Sequence, residues 1–311
     1  MNRTVFLLFL VIFALSLGSE GADPPPVSQQ QPSAGQVVRL THDGLDKQRP
    51  SWAPDGHQLL FARHESGGSR IWEYVLDLRS PSSPARRLTD RKAPEYNGVF
   101  SPDGSRVVFT AITLSGTQGN LDLAAIQADG TGLKTVVADQ GNLAHQDWPS
   151  WSPDGQRFAF SSTHEGNQEI YTAKADGSDL IRLTQSPGLD AHPCWSPDGQ
   201  VIAFATDRWE GLELAAVRPD GTGLQRLTRS PGLDDYPAFS PDGAWLAFVS
   251  NRDGQFEVYL AGADGSAPRN FSQHPHRDTF PTWTPDGRGI TFVSNRDGGF
   301  DIYTQTLVPA K

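Results

Sequence analysis

Apolar residues along the chain come in short runs of period two, broken every few positions by Gly, Asp and Asn. "QVIAFAT" (200–206) alternates large apolar with small or polar residues, then "DRWEG" interrupts, "LELAAVR" resumes and "PDG" interrupts again. That alternation is the signature of strands with one face buried, and the interruptions are turn chemistry. In "PDG", Pro presets φ for the first turn position, Asp bonds back to the local backbone and Gly supplies a positive φ. The predicted elements are therefore strands joined by tight hairpins.

The same succession recurs. "AWLAFVSNRDGQFEVYLAGADG" and "RGITFVSNRDGGFDIYTQT" repeat it closely. The prolines of the W-S-P-D-G-like motif fall at Pro54, Pro102, Pro153, Pro197, Pro241 and Pro285, at spacings of 48, 51, 44, 44 and 44 residues. A period in the mid-forties is that of one four-stranded propeller blade. Outer strands are read at "ARRLT" (85–89), "LKTVV" (133–137), "LIRLT" (180–184), "LQRLT" (224–228) and "PRNFS" (268–272). The sixth repeat runs out at "DIYTQTLVPAK" without one, and a spare copy, "VVRLT" (37–41), precedes the first repeat. The expected fold is all-β: a six-bladed β-propeller of four-stranded antiparallel blades, with an N-terminal strand closing the last blade and removing the exposed sheet edges.

The pattern "RLT…D-x-x-P-x-W-S-P-D-G-x-x-I-A-F…S-N-R-D-G…I-Y…A-D-G" resembles the TolB-type, WD-repeat-like propeller repeat over residues 36–311. TolB proper, the periplasmic component of the Tol–Pal envelope system, carries an α/β domain ahead of its propeller. A short linker stands in that place here, so the resemblance is to the propeller alone. The same repeat occurs in propellers of prolyl-oligopeptidase-like and tricorn-like peptidases and of some polysaccharide lyases. The resemblance thus implies a fold more firmly than a function.

Ahead of the repeats, Arg3 and the thirteen-residue apolar run Val5–Leu17 lead into small residues. This reads as a secretory signal peptide over 1–21, the run being shorter than the ~20 residues that span a bilayer. Residues 22–35 read as a polar Pro/Gln/Ser-rich linker. With no cysteine near the cleavage region, a lipoprotein anchor is not expected, and the location read is periplasmic or secreted. The net charge of −10 argues against nucleic acid as a partner. The single cysteine, Cys194, is read as a buried, inert thiol in a strand.

Strand direction sorts the loops. The "PDG" and "ADG" turns lie at one end of the ring, and the D-x-x-P and "SNRDG" loops at the other, where propellers commonly bind ligands. At this lead-in end Asp190, Asp234 and Asp278 stand three residues before a proline, and Glu95 takes the equivalent place in the second repeat. Gln146, flanked by Asp147, and Lys47, next to Asp46, occupy it in the third and first. Two readings stand. The four acids form a negative channel mouth that attracts a basic peptide or a divalent cation such as Ca²⁺; or each caps its own loop or pairs with an arginine. Arg252 and Arg296 are candidate partners for these acids or for Asp253 and Asp297.

The residue before that proline varies: Arg49, Asn97, Trp148, His192, Tyr236, Phe280. A fixed architecture with one variable position at the channel suits a binding surface, although packing between neighbouring loops would also use it. His145, His192, His274 and His276 lie nearby without zinc-motif spacing. There is no G-x-S-x-G, H-E-x-x-H or glycine-rich phosphate loop. The reading is a non-catalytic, monomeric envelope protein that binds a protein or peptide partner with no cofactor of its own. The alternative is a metal-assisted, lyase-like enzyme acting on polysaccharide through channel-mouth His and Asp.

Overall fold

The computed structural model describes residues 31–65, 70–80, 82–115, 118–138 and 144–308, and these contain no helix. The stretch read as a signal peptide, and most of the linker, lie outside the described residues.

Twenty-four strands, β1 to β24, form six separate four-stranded antiparallel sheets. Blade 1 holds β2 (Lys47–Trp52), β3 (Gln58–His64), β4 (Ile71–Asp77) and β5 (Arg86–Arg87) in that order. Blade 2 runs β6 (Glu95–Phe100), β7 (Arg106–Ser115), β8 (Gln118–Gln127), β9 (Lys134–Val137); blade 3 runs β10 (Gln146–Trp151), β11 (Arg157–Ser162), β12 (Glu169–Lys174), β13 (Ile181–Arg182). Blade 4 has β14 (Asp190–Trp195) to β17 (Gln225–Arg226), and blade 5 has β18 (Asp234–Phe239) to β21 (Arg269–Asn270). Blade 6 takes β22 (Asp278–Trp283), β23 (Gly289–Ser294) and β24 (Asp301–Val308) from the C-terminal end and β1 (Ser33–Arg39) from the N-terminal side.

The spare strand thus closes the ring, pairing Val37 with Gln305 and Arg39 with Tyr303. It starts at Ser33, inside the stretch read as linker, because Ser33 and Ala34 still find partners in Val308 and Leu307. First strands also start earlier than the hydrophobic pattern suggests. β14 begins at Asp190, so the lead-in acids are strand residues.

The core is divided among the blade interfaces. Six apolar clusters each join two neighbouring sheets; one contains Leu60 and Val75 of blade 1 with Val107 and Phe109 of blade 2. Closure is also electrostatic. Lys47 opens blade 1 where blades 4 to 6 carry Asp, and its ammonium lies 2.8 Å from Asp301 of blade 6, both side chains fully buried. Arg39 of β1 reaches the same carboxylate at 2.5 Å and Thr41 donates to it at 2.6 Å. Burial alone would raise the Asp301 carboxyl, but the hydrogen bonds from Lys47, Thr41 and Arg39 hold it below its ordinary value.

The "PDG" motifs form tight turns. In the copy at Ser152–Gly155, the Ser152 hydroxyl and the Gln156 amide both donate to Asp154 Oδ1, at 2.6 and 3.0 Å. Gly155 closes the turn at φ 67°.

Candidate functional site

The channel end of every blade is shaped by the same irregularity. In each first strand two residues face a single partner on the second strand, as between Asp147 and Ser150 of β10. The shift recurs in β2, β6, β14, β18 and β22. The single partner is Phe61, Phe109, Phe160, Phe204, Phe248 or Phe292, each fully buried. The first residue of each bulge adopts a left-handed backbone: Arg49 (φ 44°), Asn97 (60°), Trp148 (59°), His192 (54°), Tyr236 (55°) and Phe280 (55°). Five of the six precede a proline, which already bars the right-handed helical region. A bulge with one residue at positive φ re-aims that residue's side chain, here into the channel.

Five of the six side chains meet there, and Asn97 joins them through its carbonyl and its bond to Asp147. Trp148 stacks obliquely on His192 and Tyr236, with ring centroids 4.4 and 5.0 Å apart, and faces Phe280 at 6.0 Å. His192 lies 4.5 Å from Tyr236, and Tyr236 lies 4.7 Å from Phe280. Arg49 spans from blade 1 to blade 3: its guanidinium sits 4.4 Å from the Trp148 ring and donates to the carbonyls of Asn97, at 2.9 Å, and of Pro149. Burial pushes the Arg49 guanidinium down to about 10, against the pull of the Asp147 and Glu73 carboxylates. Polar links run between neighbouring blades: His192 Nδ1 to Asp235 Oδ1 at 2.6 Å, and Asn97 Nδ2 to Asp147 Oδ1 at 2.9 Å. Behind this plug lies a cavity of about 140 Å³ bordered by Val99, Ser150 and Cys194. Cys194 is therefore only partly buried, facing the cavity, although burial still raises its thiol.

The lead-in acids do not share this space. Asp190, Asp234, Asp278 and Glu95 are fully buried. Arg208 holds Asp190 at 2.5 Å, Arg252 holds Asp234 at 2.9 Å and Arg296 holds Asp278 at 2.9 Å. Glu95, without such an arginine in its blade, accepts from Thr89 at 2.6 Å, with Arg91 at 3.9 Å. The expectation of an open acidic mouth gives way here to four neutralised carboxylates inside the blades. A cation such as Ca²⁺ would have to displace three arginines to reach the three Asp residues. Among the described residues, no three His, Cys, Asp or Glu side chains come together as a metal-holding group.

A second set of acids went unnoticed in the sequence: Glu73, Asp122, Glu169, Glu213, Glu257 and Asp301 on the third strands, all buried. The available signal was a lone acid in an otherwise apolar strand, sixteen residues after the motif proline in the last four repeats. Most are absorbed structurally: Glu169 by Thr184 and the Ser186 amide, both at 2.6 Å, and Glu257 by Ser272 at 2.5 Å. Glu73 differs. Gly98 stands where the other blades have proline, and its amide donates to Glu73 Oε1 at 2.6 Å. Burial pushes the Glu73 carboxyl up to about 8, with the Gly98 amide and Arg49 opposing. Glu73 Oε2 and Asn97 Oδ1 are buried with no hydrogen-bond partner among the described residues.

The "SNRDG" loops have likewise been put to structural use. Asn251 and Asn295 accept from the Leu233 and Arg277 amides at 2.6 and 2.9 Å, bracing the loops that precede β18 and β22. Asp297 accepts from the Tyr303 hydroxyl at 2.7 Å. The residues that vary from blade to blade are thus the ones that meet in the channel.

Comparison with known proteins agrees with this architecture. The Tol-Pal system protein TolB of Anaeromyxobacter dehalogenans (strain 2CP-C) is 33% identical over 114 residues, 36% of this chain and 24% of that protein. The chain thus spans about a quarter of the length of that curated relative. The crystal structure of TolB from Acinetobacter baumannii superposes with a TM-score of 0.66 at 22% identity, over 79% of this chain and 59% of that one. An oligogalacturonate lyase in complex with manganese superposes with a TM-score of 0.59 at 16% identity, over 90% and 96% of the two chains. At such identities the two structures speak for the fold alone. The family described as "TolB beta propeller domain" matches residues 114–230 and 219–310, well over half of the sequence, and the chain belongs to that family.

Proposed function

We propose that this protein is a non-catalytic binding module of the bacterial cell envelope, periplasmic or secreted, that takes a protein or peptide partner on its lead-in face. The observation that carries the reading is that five of the six left-handed bulge residues, from five blades, converge on a single cluster in the channel. Backbone strain of this kind costs ~1–3 kcal/mol per residue and tends to persist where a site needs it. The cluster offers aromatic rings with polar rims, the composition of binding hot spots. Relatives named as Tol-Pal system proteins point to the same envelope setting.

The binding surface proposed is the plug itself: Arg49, Trp148, His192, Tyr236 and Phe280. Asp147 and Asp235 rim it in place of the four deeper acids. A lyase-like reading that took Asp190, Asp234 and Asp278 as metal ligands would have to displace the arginines that already hold them.

The test is affinity capture from envelope extract with wild type and a Trp148→Gly/Tyr236→Gly variant. Glycine suits both backbones, which offsets part of the packing lost with the two rings; with the β fold checked by circular dichroism, partner recovery should drop about tenfold or more. Equal recovery of every partner would sink the reading.

A further inference from the structure

Arg49 is the odd member of the plug. It crosses two blades, lays its guanidinium on the Trp148 face and donates to two main-chain carbonyls, of Asn97 and Pro149. A planar cation on an aromatic face, edged by carbonyl acceptors, is how proteins recognise a guanidinium. The surroundings also carry more acceptor capacity than Arg49 uses. Asn97 Oδ1 is buried without a partner among the described residues, and Asp147 stands beside Asn97. Nη1 and Nη2 are the Arg49 atoms that donate, while a guanidinium has five N–H groups.

We propose that Arg49 is the internal occupant of a guanidinium site, and that an arginine side chain of a partner segment takes its place at the channel mouth. Arg49 then acts as a latch. It keeps the aromatic cage filled when no partner is present, and lowers the apparent affinity for an incoming arginine by competing from within. The inference rests on the reading of the channel mouth as the partner site, and it adds the chemistry of the group that enters.

The probe is methylguanidinium, titrated against wild type and Arg49→Ala during thermal unfolding. The expected result is a lower Tm for the variant and a saturable rise with methylguanidinium that wild type lacks. Methylammonium should not reproduce the rise, and adding Trp148→Ala should abolish it. Parallel responses of wild type and variant, or an equal response to methylammonium, would overturn the proposal. In a second arm, calorimetry measures the peptide Gly-Gly-Arg-Gly-Gly. It should bind Arg49→Ala about tenfold more tightly than wild type, since the latch no longer competes; equal affinity would overturn the latch. If the alanine variant does not fold, Arg49→Gln keeps most of the stem and is read the same way. Rescue without plug-dependent capture would contradict the partner reading and leave the guanidinium site standing. Capture without rescue would do the reverse.

Discussion

Single carboxyl groups show how burial and partners divide one chemical type into several roles. Asp154, in its turn, lies below the ordinary carboxylate range because the Ser152 hydroxyl and the Gln156 amide stabilise the charged form. Asp190 is pushed up to about 6 by burial, which Thr206, Thr184 and Arg208 only partly oppose. Glu73, at about 8, is the most displaced in the same direction. A raised acid stabilises the fold fully below its unfolded value, and that contribution is lost as pH rises through the folded one. For Glu73 the loss falls between about pH 4.5 and about pH 8. Wild-type Tm should therefore decline relative to Glu73→Gln from about pH 5 to about pH 9. The glutamine keeps an acceptor for the Gly98 amide and cannot ionise. Parallel Tm curves would show that Glu73 does not titrate in this range. The turn bond of Asp154 was legible in P-D-G, and pairing with an arginine was one of two readings for Asp190; the Glu73 shift was not legible, since a lone acid in an apolar strand carries no mark of the neighbour that will meet it.

Strand patterns were legible and the bulge was not. Period-two alternation marks strands and "PDG" marks hairpins, so the blades and their order follow from local chemistry. Position before the proline puts Asp190 and His192 in one loop at the lead-in end, and both are expected at the channel mouth on that ground. The positive φ at His192 breaks the period-two alternation, turning the imidazole into the channel and leaving Asp190 between the blades. The dipeptide before each proline hinted at restriction but not at its sign. Blade 2 departs furthest from the repeat: its β7–β8 hairpin is longer, its arginine is missing and Gly98 replaces proline. A Cβ at Gly98 would lie 2.7 Å from Leu60 Cδ2 and 3.0 Å from the Glu73 carboxyl. Gly98→Ala should accordingly cost about 1–3 kcal/mol of overpacking, read as a lower urea midpoint at unchanged m. An unchanged midpoint would mean that Glu73 can swing away freely.

The ring as a whole is closed by two chain ends and one buried charge. Blade number and closing strand were both readable from the missing outer strand of the last repeat. The ionic part of the closure was not, because Lys47 stood at a position where most other repeats carry an acid and only contact with Asp301 gives it meaning. Asp301→Ala leaves a buried ammonium with Asp43 as its remaining carboxylate partner, and removes the anchor of Arg39 at the end of β1 and of Thr41 just after it. Loss of one partner of a buried pair costs about 3–5 kcal/mol, so chemical denaturation should show a clear drop in stability. A drop under about 1 kcal/mol would leave closure to strand pairing alone.

The six bulges separate what builds the ring from what faces its axis. Each blade spends its apolar residues on its neighbours and its acids on its own loops or on an adjacent blade, and hands one backbone-fixed position to the interior. Those positions already hold Arg, Asn, Trp, His, Tyr and Phe without disturbing the blade that carries them. The interior is thus a six-character field written on a fixed frame. Randomising it would yield a library of receptors that differ in specificity and share one fold.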